Sequence, residues 1–78
     1  MRQHQMEVYD RGWLETARRV KGYTQAQVAG AVGCSVAYYN RVEKGLHIPI
    51  VTIALKMADF LDVDVRNFLT EKVIKSEA

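Results

Sequence analysis

Tyr38, Asn40, Arg41 and Lys44 fall within one ten-residue segment, SVAYYNRVEK at 35–44. Arginine presents a planar fork of donors that fits paired acceptors, such as a phosphate, a carboxylate or the O6/N7 edge of guanine. Asparagine offers one donor beside one acceptor and matches adenine in the same way, or bonds a phosphate. Lysine and a tyrosine hydroxyl suit phosphate oxygens, which fix register without reporting sequence. On a helix, Ala37, Tyr38, Asn40, Arg41 and Lys44 form an outer face, and Val36, Tyr39 and Val42 recur inside at i, i+3, i+6. Glu43 is the segment's one acid.

Other chemistries find less support. There is no nucleophile–base pair, no phosphate-cradling glycine loop and no metal-ligand spacing. Cys34, His4 and His47 are too few and too scattered for a structural zinc set, which needs four ligands. The expectation is a non-enzyme with no cofactor, no metal and no evident small-molecule ligand. Cys34 is a candidate redox switch or, more simply, a small residue that fits a turn.

The elements that must position this segment read as helices. The first spans about Asp10 to Lys21, with Asp10 as cap and Gly22 as the stop. The second opens at Thr24, where Gln27 three residues later completes a capping box. Val28, Ala29 and Val32 form its inner stripe, and Gly33 ends it. Ser35 caps the third, which stops before Gly45. A loop to Pro49 leads into a fourth helix, about Ile50 to Leu61, and Asp64 caps a fifth from Val65 to about Thr70. The expected organisation is a flexible segment 1–9, a domain 10–70, and a tail or helix extension 71–78. No stretch alternates long enough to predict a strand.

Seventy-eight residues make one small domain, which buries only about 60% of its unfolded surface and gains from a partner subunit. Charge is unevenly placed. Thr16 to His47 carries five basic residues and one acid, and the chain from Ile48 onward carries four basic residues and five acids. The first half therefore suits a nucleic-acid surface. No apolar run reaches the ~20 residues of a membrane span, and MRQHQMEVYD lacks the apolar core of a signal peptide. One cysteine and no membrane segment make the cytoplasm the default compartment.

Two short helices joined by a glycine-bearing turn, residues 24–44, form a helix-turn-helix. With ARRVKGYTQAQVA, AVGCS, YYNRVEKG, IP and ALKMADFLDVDVRNFL in order, the chain resembles the phage repressor and Cro-type (XRE) family from about Trp13 to Leu69. The resemblance implies an all-α, compact five-helix bundle of the lambda-repressor-like type. It also implies a transcriptional regulator, acting as a homodimer repressor on a palindromic double-stranded DNA site through a recognition helix at 35–44. Base contacts fall to Ser35, Val36, Ala37, Asn40 and Arg41, and phosphate contacts to Gln25, Tyr38 and Lys44. Arg18 and Glu43 match a structural pair. Val36 suits either the core or a thymine methyl.

The fourth helix is unusually apolar, since only Thr52, Lys56 and Asp59 are polar in IVTIALKMADFL. Ile48, Ile50 and Phe60 are therefore candidate dimer contacts. The alternative function is a protein-interaction or antitoxin-type module that binds its partner through the fourth and fifth helices.

Overall fold

The computed structural model describes the backbone of residues 4–69 and 72–77, with side chains from 8 to 69. Four α-helices occupy the middle of the chain: α1 (Gly12–Val20), α2 (Gln25–Val32), α3 (Val36–Glu43) and α4 (Val51–Leu61). The expected fifth helix is a single 3-10 turn, Val65–Leu69. The class is the expected one, mostly helical, with one α-helix fewer than the resemblance implies.

Local signals set most boundaries. Thr24 accepts from the Gln27 amide while the Gln27 side chain accepts from the Thr24 amide, closing the capping box on α2. Ser35 Oγ accepts from the Tyr38 amide at 3.0 Å and starts α3. Gly33, at φ +80°, ends α2 in the left-handed conformation that glycine tolerates best. The start of α1 moves by one residue: Arg11 is the cap position, although Asp10 Oδ1 still accepts from the Gly12 amide.

Both expected tails are corrected. Residues 4–9, assigned to a flexible segment, form strand β1 (His4–Tyr9), and 72–77 form strand β2 (Lys72–Glu77) rather than a helix extension. The strands pair antiparallel, from His4 opposite Glu77 to Tyr9 opposite Lys72. The chain's two ends thus meet in a ribbon. Val8 buries its side chain, and the Tyr9 amide donates to the Gly45 carbonyl at 2.9 Å. The ribbon is seated where α3 ends.

The core joins Leu14 of α1, Val28, Ala29 and Val32 of α2, Tyr39 and Val42 of α3, Ala54, Met57 and Leu61 of α4, and Phe68. Ala29, 1% exposed, is a small residue on the buried side of α2. Trp13 packs edge-on against Phe68 at 5.0 Å between centroids and closes the end near the ribbon. Among the described residues no helix is long and apolar enough to cross a membrane.

Candidate nucleic-acid interface

The inner residues of α3 lock it to the body. Tyr39 and Val42 are completely buried, whereas Val36 is 47% exposed. Val36 therefore lies at the surface and not in the core, although Tyr38 in the same turn packs against that core. Ser35, Val36, Ala37, Arg41 and Lys44 are all exposed and share the outward side with half-buried Tyr38 and Asn40.

A chain of hydrogen bonds braces this helix from behind. Arg18 donates through Nε and Nη2 to the two carboxylate oxygens of Glu43, at 2.8 and 3.0 Å, and through Nη1 to the Tyr23 carbonyl at 2.9 Å. Gln25 Nε2 donates to Glu43 Oε1 at 3.1 Å, and Asn40 Nδ2 donates to Gln25 Oε1 at 3.1 Å. The expected Arg18–Glu43 pair is present and bidentate. Gln25 and Asn40, assigned to phosphate and base, spend part of their amides on each other. Asn40 cannot present both its amide hydrogens to a base without releasing Gln25.

Burial pushes the Glu43 carboxyl's pKa up, but donation from Arg18 and Gln25, with the Tyr39 hydroxyl close by, outweighs it and holds Glu43 below its ordinary value of 4.5. The Tyr39 hydroxyl is buried beside this pair without closing a hydrogen bond of ordinary geometry, and burial raises its pKa. Burial likewise raises the Cys34 thiol, which keeps it protonated and favours the reading of a small residue in the turn.

Tyr38 has a second task. Its hydroxyl accepts from the Ile50 amide at 3.0 Å, and its ring meets His47 edge-on at 4.9 Å. Ile50 caps α4 without a side-chain acceptor, so Tyr38 ties the recognition segment to the start of α4. The hydroxyl proton stays free to donate outward.

The three candidate dimer residues separate. Ile48 and Ile50 are exposed, and Ile48 lines an apolar groove together with Pro49, Val51, Ala54, Phe68 and Leu69. Phe60 instead stacks on Tyr23 at 4.7 Å. It follows Val51 by nine positions, about two and a half turns, and so faces the other side of α4.

Basic side chains sort in the same way. Among the described residues, Arg19 pairs with Glu15, Lys21 with Asp62 and Arg66 with Asp64, while Arg18 is bound to Glu43. Arg41 and Lys44, on the outer face of α3, have no such partner, and of the other described lysines only Lys56 of α4 shares that state. Arg11, which sequence reasoning passed over, is buried behind α3 and donates to the Val42 carbonyl at 3.0 Å. Only its position seven residues before Arg18 hinted at a shared face.

A family model described as helix-turn-helix matches residues 14–68. The chain is 39% identical over 54 residues to YqaF of Bacillus subtilis (strain 168), described as an HTH-type transcriptional regulator, covering 69% of this chain and 71% of that one. It resembles the solved restriction-modification controller protein C.AhdI from Aeromonas hydrophila, with 30% identity and a TM-score of 0.67 over 78% of this chain and 92% of that one. It also resembles the N-terminal DNA binding domain of SinR from Bacillus subtilis, with 28% identity and a TM-score of 0.65 over 76% and 87% of the two chains.

Proposed function

The chain belongs to the XRE-type helix-turn-helix family of transcriptional regulators, and from that premise we propose that it is a sequence-specific DNA-binding repressor. It acts as a homodimer that lays two copies of α3 in successive major grooves of a palindromic operator, ~34 Å apart. One observation carries this reading. The outer face of α3 is exposed, and its cations Arg41 and Lys44 lack intramolecular partners while most other described cations are paired.

Each residue then has a role. Arg41 donates to guanine, and Val36 and Ala37 touch thymine methyls. Ser35 uses its hydroxyl proton, since its oxygen already caps α3. Asn40 positions Gln25, whose second amide hydrogen meets a phosphate beside the start of α2, where free backbone amides favour an anion. Lys44 and Tyr38 hold phosphates on either side.

Selection of bound sites from random duplexes tests the reading. The expected result is palindromic sites with half-sites one helical turn apart, and binding that weakens steeply with salt. Arg41→Ala should cost about 1–3 kcal/mol in operator binding and relax preference at one base pair. Binding equal to the parent's would remove α3 as the reader.

The apolar surface at Ile48, Val51 and Leu69, with exposed Ile50 between the first two in the chain, supports the dimer, because single exposed apolar residues are ordinary and a contiguous patch is not. Ile50→Asp separates folding from association. It gives α4 the side-chain cap it lacks, worth about 1 kcal/mol, and places a charge next to Val51 of the patch. Sedimentation should show monomers, with the unfolding midpoint of the dilute protein unchanged or raised. A variant that still dimerises would place the contact elsewhere.

A further inference from the structure

Arg11 heads α1 and is 2% exposed, a degree of burial that guanidinium groups seldom reach without a carboxylate. Among the described residues no carboxylate pairs with it. Nη1 donates to the Val42 carbonyl at 3.0 Å and lies 3.4 Å from the His47 carbonyl. The guanidinium carbon stands 4.9 Å from the centroid of the Tyr9 ring and 5.1 Å from that of Phe68. Nε and Nη2 have no acceptor. The cation is therefore held by the negative end of α3 and by two π faces.

Arg11 and Arg18 are seven residues apart, about two turns, and so project from the same side of α1 with buried Leu14 between them. Both reach α3, and they reach neighbouring residues: Arg11 the carbonyl of Val42, Arg18 the carboxylate of Glu43. One anchored point leaves a helix free to pivot. Two points, spaced along α1, fix tilt and roll together. We propose that Arg11 is a positioning residue for the recognition helix, the second point of a clamp by which α1 sets the direction of α3.

The geometry makes this matter. Eight residues of α3 span about 12 Å, so a tilt of about 5° at the clamped end moves the reading end by about 1 Å. A hydrogen bond from Ser35 at that end tolerates less than that. The proposal rests on the DNA-binding reading above. It assigns Arg11 no contact with DNA, which its burial forbids.

Arg11→Met keeps the volume and removes the cation, a change that buried charges often tolerate in stability. Arg11→Lys keeps the charge and can reach one carbonyl. Binding to the selected operator and to an unrelated duplex is measured well below the unfolding midpoint, with circular dichroism to establish the fold. Amide exchange of the free protein is followed at Tyr9, Lys44 and Gly45.

Arg11→Met should lose about tenfold in operator affinity, the worth of one good base contact, with binding to the unrelated duplex and the salt slope unchanged. Exchange at the three amides should quicken, and Arg11→Lys should restore part of both. Unchanged operator binding by folded Arg11→Met overturns the proposal, as does an equal fall on both duplexes. If Arg11→Met fails to fold, Arg11→Lys carries the same comparison. If the parent itself prefers no sequence, the DNA-binding reading fails, and unchanged exchange in the variants then overturns the clamp separately.

Discussion

Gly45→Ala is expected to destabilise the protein by more than about 3 kcal/mol, far beyond what the same change does at Gly33. Both glycines have φ of +80°, where a side chain costs roughly 1–2 kcal/mol. Around Gly33 a Cβ would meet nothing within 4 Å. At Gly45 it would overlap the Tyr9 carbonyl oxygen and lie 2.9 and 3.0 Å from the Tyr9 carbonyl carbon and nitrogen. All three are backbone atoms, so no rotamer relieves the clash.

The strand must therefore lift from the end of α3 and break the bond from the Tyr9 amide to the Gly45 carbonyl, a further ~1 kcal/mol. In a small domain each kcal/mol lowers the unfolding midpoint by roughly 4–8 °C. Parallel thermal melts of the two variants isolate the steric part as their difference. Equal midpoints would mean that β1 does not dock on Gly45.

That contact also marks where sequence reasoning stops. Gly45 reads correctly as a helix stop, because a left-handed residue after a polar turn is a local signal. The approach of Tyr9 from across the chain is not local. The same holds for the ribbon. HQMEVY and KVIKSE do not alternate cleanly between apolar and polar residues, no turn joins them, and they lie far apart in the sequence. The middle of the chain was legible because each boundary carries its own chemistry: Thr24 with Gln27, Gly33, Ser35. Arg18 and Glu43 could be paired by resemblance.

Arg11 has no such label. A basic residue just before a helix looks like any solvated cation until Tyr9 and Phe68 are seen to cover it. Val36 illustrates a different limit. Its i, i+3, i+6 spacing with Tyr39 and Val42 fits an inner stripe, but spacing does not report where the neighbouring helices end. Ile50 and Phe60 were grouped because both are large and apolar on one helix. Nine positions separate Val51 from Phe60, which already puts Phe60 on the side of α4 opposite Val51.

Glu43→Ala is expected to cost about 3–5 kcal/mol, the usual consequence of leaving one member of a buried ion pair alone. The side chains of Arg18 and Glu43 are only 10% and 6% exposed, so solvent screens the pair weakly. Without Glu43, Arg18 keeps the Tyr23 carbonyl as its remaining partner, and Gln25 loses the acceptor for its amide. Replacing both members, as Arg18→Met with Glu43→Met, should recover much of the loss because no unpaired charge remains inside.

The pair also predicts a pH dependence of definite sign. Folding lowers the pKa of Glu43 below 4.5, so the unfolded chain binds its proton more readily. The stabilisation is complete above the unfolded value and is lost as pH falls through the folded one. Unfolding followed by urea should therefore show the parent losing stability below about pH 4.5, with a shallower slope in the double variant. A parallel slope in both would assign the acid sensitivity to other carboxylates. Protonation of Glu43 also loosens Gln25, which holds Asn40. Operator binding should then weaken at the acid edge before the helices melt, because the brace behind α3 contributes to its direction as well as to its stability.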